Sequence, residues 1–129
     1  MPLRLIMTLL LVSVSAPVVA REYCAGLDEK RRLECWNGQT DKKEAALARE
    51  IARSKRGAKK NGKSYGLDVS VALRLMDKSQ AAWNIYVEQE CSLEREAVGS
   101  GTDRNPQEMN CYLTKLDERI AEIRKNWPR

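Results

Sequence analysis

Histidine is absent from the 129-residue sequence, and its absence excludes several kinds of site. The chain cannot use an imidazole as a general base, pair one with a nucleophile, or ligate a metal through one. Phenylalanine is also absent, and aromatic residues make up only 5% of the chain. The core must therefore depend on aliphatic side chains, three Trp and four Tyr.

Patterns that mark a sheet or a common active site are missing too. Apolar and polar residues do not alternate, and β-branched residues are sparse after residue 20, which favours an all-α fold. No P-loop, dinucleotide-binding fingerprint or G-x-S-x-G motif occurs. The abundant carboxylates mix with Lys and Arg at helical spacings, as on a solvated, ion-paired helix face. We therefore expect no enzymatic activity, no metal and no cofactor.

The first twenty residues are organised like an export signal. Arg4 gives a positive start, residues 5–14 form an uncharged apolar run, and the segment ends in Val18-Val19-Ala20. These small terminal residues suit a signal peptidase, and the run is shorter than the roughly 20 residues that cross a bilayer. We predict cleavage after Ala20. This leaves residues 21–129 as one helical domain, periplasmic or secreted, without a membrane span; a retained N-terminal anchor is the alternative.

The last helix has the clearest pattern. Asn105 and Pro106 suit its start, because an Asn side chain caps a free amide and Pro has no amide to satisfy. The apolar residues that follow are spaced alternately by four and three, which makes one apolar stripe. They are Met109, Leu113, Leu116, Ile120, Ile123 and Trp127.

A second helix is predicted from about Asp68 to about Ala97, with a length of about 45 Å that makes it the spine of the fold. We predict that one face carries its apolar residues. They are Val69, Ala72, Leu73, Met76, Trp83, Tyr86 and Val87. Gln80 lies on the same stripe. Either its head group reaches the edge of the core, or its buried amide links two helices.

The N-terminal part of the domain allows two interpretations. Residues 41–44 can form a capping box that opens a helix ending near Arg56. An earlier helical segment, residues 28–36, is either separate or continuous with it through Gly38, because a glycine inside a helix costs only about 1 kcal/mol. Residues 57–66 contain three glycines and no acid, which predicts a hinge. The expected fold is a small disulfide-stapled bundle of three to four helices with one long central helix.

Four cysteines in an exported chain favour disulfide bonds over a metal site, and no C-x-x-C occurs. Cys91 and Cys111 lie on consecutive predicted helices, and the two cysteines lie level with each other if these helices are antiparallel. Cys24 and Cys35 would be about 16 Å apart on a straight helix, so they can pair only if the chain folds back before Asp28. We favour 24–35 with 91–111, and crossed pairing is the alternative.

The most unusual surface feature is a cluster of six cations within eleven residues that contain no acid. The cluster consists of Arg53, Lys55, Arg56, Lys59, Lys60 and Lys63. One interpretation is a solvated hinge. The other is a patch for an anionic partner, such as an envelope polymer, lipopolysaccharide or an acidic protein. Nucleic acid is not expected, because no aromatic residues lie between the charges.

The segment Gln80-Ala81-Ala82-Trp83-Asn84-Ile85-Tyr86, followed by Glu90-Cys91, resembles the Q-x-x-W-x-x-(Y/F)…C signature of the LprI-type lysozyme inhibitor domain. Later residues are similar to the family pattern as well, and Cys24 with Cys35 completes its four cysteines. These later residues are Gly99, Ser100, Cys111, Leu113, Thr114 and Arg119. The resemblance implies an exported, helical, disulfide-bonded domain, some of whose relatives inhibit lysozyme. It assigns no inhibitory residue.

The function implied by the resemblance is that of a non-enzymatic exported binding protein, which inhibits a lysozyme by blocking its cleft. An envelope structural or adaptor protein, which binds an anionic surface or acidic partner through the Arg53–Lys63 cluster, is the alternative. Loss of Arg4 with the signal lowers the formal charge from +5 to +4. Because animal lysozymes are cationic, long-range repulsion opposes docking unless a local acidic patch, such as residues 88–96, supplies attraction.

Overall fold

Residues 22–101 and 104–129 are described by the computed structural model, without the side chain of Arg104. They form α1 (Glu29–Asn61), a 3-10 helix (Gly62–Tyr65), α2 (Val69–Ala97) and α3 (Arg104–Asn126). These residues contain no strand and carry two disulfide bonds, so the predicted all-α, disulfide-stapled bundle is confirmed. The predicted signal peptide, residues 1–20, lies outside the described residues. Among the described helices, none is long and apolar enough to cross a membrane.

The first helix is continuous and longer than the predicted spine. The Asp28 carboxylate caps α1 by accepting the N–H of Arg31 at 3.0 Å, and the helix then runs for 33 residues. It passes through Gly38 without a break, so the continuous interpretation is correct and residues 41–44 do not open a helix. The cost of glycine in a helix is offset by packing along α1, where Trp36 and Leu47 are buried.

The predicted hinge at residues 57–66 is wrong in its first half. Gly57 lies inside α1, where a Cβ would stand 2.1 Å from the backbone carbon of Arg129, so this glycine permits a close approach. The turn itself is limited to residues 62–68. It uses Gly66 in the left-handed region at φ 72°, and the N–H of Leu67 donates to the Gly62 carbonyl at 2.9 Å. The cations before residue 62 therefore lie on a helix.

The helices α2 and α3 begin close to their predicted positions. Asp68 caps α2 by accepting the N–H of Val71 at 3.1 Å, and the helix begins at the next residue. The Ser70 hydroxyl also donates to the Asp68 carboxylate, and the hydrogen bonds from Val71 and Ser70 lower the pKa of Asp68. The third helix begins at Arg104, so Asn105 lies inside the helix instead of before it. Assigned helix ends commonly differ by one or two residues.

The core lies where α3 packs against both other helices. Leu113, Leu116 and Ile123 have no exposed surface, and each belongs to the predicted stripe of α3. Trp36 and Leu47 from α1 complete the main cluster, while a smaller cluster surrounds the disulfide between α2 and α3. The bundle thus has α3 as its shared element, which leaves a surface groove between α1 and α2.

The disulfide pairing is the one that the sequence favours. Cys91 joins Cys111 across α2 and α3 with 5.5 Å between their Cα atoms. Cys24 joins Cys35 at 6.0 Å, because the chain before α1 turns back along the helix. Cys24 and Gly26 both have positive φ in this turn, at 60° and 75°. The fold-back at Gly26 is therefore what brings two cysteines eleven residues apart into bonding distance.

Candidate functional site

A buried arginine organises the residues that carry the family resemblance. Arg119 is 4% exposed and donates three hydrogen bonds from its guanidinium. Its Nε donates to Gln80 Oε1 at 3.2 Å, its Nη2 to Ser79 Oγ at 2.9 Å, and its Nη1 to Glu122 Oε2 at 2.8 Å. Gln80 is half-buried, and its amide links α2 to α3 through this arginine.

Two indole rings flank the same guanidinium. The central carbon of Arg119 lies 5.9 Å from the ring centre of Trp83 and 5.2 Å from that of Trp127. These distances permit cation–π attraction, which is strongest for tryptophan. Because each of the three guanidinium nitrogens donates to an acceptor within the fold, Arg119 holds α2 against α3 and is not the best candidate for contact with a partner.

The other signature residues lie on the same pair of helices or in the turn that follows α2. Tyr86 is 46% exposed, so its predicted place on the core face is wrong; its hydroxyl accepts from Lys115 Nζ at 3.2 Å. This bond to Tyr86 raises the pKa of Lys115. The Thr114 hydroxyl donates to the Asn110 carbonyl at 2.8 Å, and Gly99 turns the chain after α2 at φ 75°. The signature therefore describes the α2–α3 hairpin.

An open groove between α1 and α2 is the best candidate for a contact surface. It has a volume of about 540 Å³, and α3 forms its base. Its apolar floor includes the buried residues Leu47, Val87 and Leu116, beside the half-buried ring of Trp83. We call this surface the acidic groove, because three carboxylates line it and no lysine or arginine does: Glu44, Glu88 and Glu108.

The three carboxylates of the acidic groove differ in their partners. Glu44 Oε1 accepts the hydroxyl of Tyr112 at 2.8 Å, and Glu108 Oε2 accepts from Arg95 Nη1 at 3.1 Å. Burial, together with the Glu44 carboxylate, raises the pKa of Tyr112 to about 12, so this phenol stays neutral. Glu88 is exposed and forms no ion pair with a described residue. It is therefore the carboxylate most available to a cationic partner.

Sequence reasoning found only part of this groove. It singled out the acids from Glu88 to Glu96, and Glu88 does line the groove, whereas Glu94 accepts from Gln107 elsewhere. It missed Glu44 and Glu108, because only the packing of three helices brings them beside Glu88. One local signal was available: Glu44, Leu47, Ala48 and Ile51 recur at helical spacing and form one side of α1.

The predicted cation cluster divides between two sides of α1. Lys55 forms an ion pair with Asp77 on α2, so it does not belong to the predicted patch for an anionic partner. The remaining five, Arg53, Arg56, Lys59, Lys60 and Lys63, are exposed. In the described residues, no group of three or more Asp, Glu or Cys is arranged to hold a metal ion.

Comparison with known proteins gives one match. The family model described as lysozyme inhibitor LprI matches residues 24–123, a range that contains both disulfides and nearly all of the three helices. No curated protein and no solved structure matches the chain. The match covers well over half of the sequence and includes every residue of the signature. The chain therefore belongs to the lysozyme inhibitor LprI family.

Proposed function

We propose that this protein is an exported, non-enzymatic inhibitor that binds a lysozyme through the acidic groove and blocks the lysozyme cleft. The observation that carries the proposal is the pairing of an apolar floor with an acidic rim at Glu44 and Glu88. Lysine and arginine combine an aliphatic stem with a charged head. Such side chains on a cationic lysozyme can lay the stem on the floor and direct the head to the rim.

The position of the groove on α1 removes the objection raised by net charge. At 3.6 residues per turn, Glu44, Leu47 and Ile51 lie on a side of α1 roughly 160° away from Arg49, Arg53 and Lys60. An approaching cation that meets the groove side encounters carboxylates first, because Arg49, Arg53 and Lys60 point away from it and Lys55 is paired with Asp77. Local complementarity of this kind sets orientation and association rate more than the total charge does.

Rigidity supports a mechanism by steric block. The groove walls are helices tied to each other through α3, and the Cys91–Cys111 bond fixes α2 beside the groove. A preorganised surface loses little conformational entropy on binding, which favours affinity. Both disulfides also fit an oxidising compartment, in agreement with the proposed signal at residues 1–20 and export to the periplasm or beyond.

The test is a turbidity assay of cell-wall lysis by several lysozyme types, with the oxidised protein in molar excess. We expect lysis to slow, and we expect Glu88→Lys to weaken inhibition about tenfold, equal to about 1.4 kcal/mol. The matched control is Glu34→Lys, an exposed acid of α1 outside the groove, which changes the net charge equally. The control should inhibit like the wild type.

A second pair of variants tests the groove by shape. Ala48 and Ala45 are both exposed alanines of α1, but only Ala48 lines the groove. Ala48→Trp places a ring in the groove and should weaken inhibition at least about tenfold by steric conflict, whereas Ala45→Trp should not. Undiminished lysis with every lysozyme type would overturn the inhibitor proposal. Equal inhibition by both variants of each pair would overturn the choice of the groove.

A further inference from the structure

A second charged surface lies on the back of α1. Five exposed cations occupy one side of the helix, within an arc of roughly 60° at 3.6 residues per turn. We call them the basic stripe: Lys42, Arg49, Arg53, Arg56 and Lys60. The stripe is about 27 Å long at 1.5 Å per residue. Lys59 and Lys63, also exposed, flank its end.

Little counter-charge faces the stripe in the described part of the chain, although Glu50 attracts Arg53 electrostatically. None of its five cations forms an ion pair with a described residue. Between Lys42 and Lys60, α1 contains only two acids, and both have their hydrogen-bond partners outside the stripe. Glu44 lines the acidic groove, and Glu50 is buried against Arg124 at 2.9 Å. A rigid row of like charges repels itself, and an external anion bound along the row would relieve that repulsion.

An exposed aromatic residue stands at the end of the stripe. Tyr65 closes the 3-10 helix that follows α1, and 75% of its surface is exposed, the highest value among the large apolar residues described. Leu67, two residues later, is 36% exposed. Tyrosine is favoured at membrane interfaces, because its ring is apolar and its hydroxyl remains hydrated.

We propose that the basic stripe and Tyr65 form a surface that adsorbs to an anionic phospholipid bilayer. A straight helix with its cations on one side presents all of them to a plane at once. A lone exposed aromatic at one end then enters the headgroup region, as in proteins that combine a basic surface with a small apolar anchor. The side of the stripe carries no further aromatic residue for bases to stack on, which disfavours single-stranded nucleic acid.

Adsorption in this orientation has a consequence for the rest of the molecule. Because the acidic groove and the basic stripe lie on opposite sides of α1, a chain held by the stripe directs the groove away from the bilayer. The two surfaces are then independent, and a protein bound to the membrane keeps its groove open to solvent. The membrane proposal does not depend on what the groove binds.

The test is sedimentation of the full mature protein with vesicles rich in phosphatidylglycerol, compared with pure phosphatidylcholine. We expect binding to the anionic vesicles only, and loss of that binding at high salt. Near an anionic surface each cation contributes about fivefold to the partition coefficient. The triple variant Arg53→Gln, Arg56→Gln, Lys60→Gln should therefore bind about a hundredfold more weakly.

The matched control removes three charges from other sides of the bundle. Lys30, Lys78 and Lys125 are exposed, one on each helix, and form no ion pair with a described residue. Changing these three to Gln lowers the net charge equally and should reduce binding far less. If both triple variants lose the same affinity, total charge attracts the protein and the stripe proposal is wrong.

Two further measurements distinguish binding to a bilayer from binding to other anionic partners. Tyr65→Trp should give blue-shifted emission with anionic vesicles, measured against the wild type, because the ring enters the interface. Long-chain polyphosphate serves as a soluble polyanion. If the stripe binds polyphosphate but the wild type does not sediment with anionic vesicles, the stripe is a polymer site and the membrane proposal is overturned. If the Tyr65→Trp ring stays hydrated in the bound state, the aromatic residue does not enter the bilayer and its part in the proposal is wrong.

Discussion

Replacement of Arg119 tests whether the family signature is structural. Arg119→Met keeps an unbranched apolar stem but removes the guanidinium, and with it the bonds to Gln80 and Ser79. Hydrogen bonds from a charged group are worth about 1.5–3 kcal/mol net, and each ring contact at Trp83 or Trp127 adds about 0.5 kcal/mol or more. The bond to Glu122 adds less, because that side chain is 50% exposed.

These contributions predict that Arg119→Met lowers the free energy of unfolding by about 4 kcal/mol or more. For a domain of this size the urea midpoint should fall by about 2 M or more. The assay is urea unfolding of the oxidised protein, followed by tryptophan fluorescence and by far-ultraviolet circular dichroism. Coincidence of the two probes establishes that a single transition is being measured.

The control is Arg95→Met, which removes an arginine from the surface of the same hairpin. Arg95 is 36% exposed and pairs with Glu96 and Glu108, so we expect a loss of at most about 1 kcal/mol. A midpoint for Arg119→Met equal to that of Arg95→Met would refute the reasoning. The buried network would then contribute no more than a surface ion pair.

Three other predictions concern separate parts of the molecule. A hydrogen bond from Arg124 and the charges of Arg124, Arg129 and Arg53 lower the pKa of Glu50. The stability of the wild type should therefore decrease as the pH is lowered below about 4.5, and that of Glu50→Gln should decrease less, measured as melting temperature against pH. The pKa of Tyr112 is raised to about 12, so the contribution of its neutral hydroxyl to stability is complete below pH 10 and is lost as the pH rises through 12. Glu44→Gln should lower the pKa of Tyr112, measured by an absorbance titration. Replacing Cys91 and Cys111 by Ser opens a loop of about 20 residues and should cost about 3 kcal/mol in urea unfolding.

Local signals predicted the parts of this fold that local forces determine. The start of α2 at Asp68 and the apolar stripe of α3 follow from capping and from spacing along one chain segment. The fold-back that pairs Cys24 with Cys35 follows from Gly26 and from the reach of a disulfide. In each case the deciding interaction lies within about a dozen residues.

The continuity of α1 was not predictable, because it depends on packing far from the glycines. Gly57 reads as a hinge in the sequence, yet it is helical and leaves room for the backbone of Arg129, which lies 72 positions away. Tyr86 reads as a core residue from its spacing but lies at the edge of the α2–α3 interface beside Lys115. Spacing gives the direction of a side chain, while neighbouring helices determine which directions are covered.

The arrangement of charge would make a basic chain compatible with the proposed cationic lysozyme. The net charge of +5 is the sum over the whole chain. A docking partner responds mainly to the charges within the screening length of about 8–10 Å, which lie on the side of the molecule that it contacts. On the groove side the nearest charges are those of Glu44 and Glu88. The basic stripe lies on the far side of α1, which is about 10 Å thick. It follows that Arg53→Gln and Arg56→Gln should leave lysozyme inhibition unchanged while Glu88→Lys weakens it. Sensitivity of inhibition to the stripe variants would show that total charge, not its arrangement, controls binding.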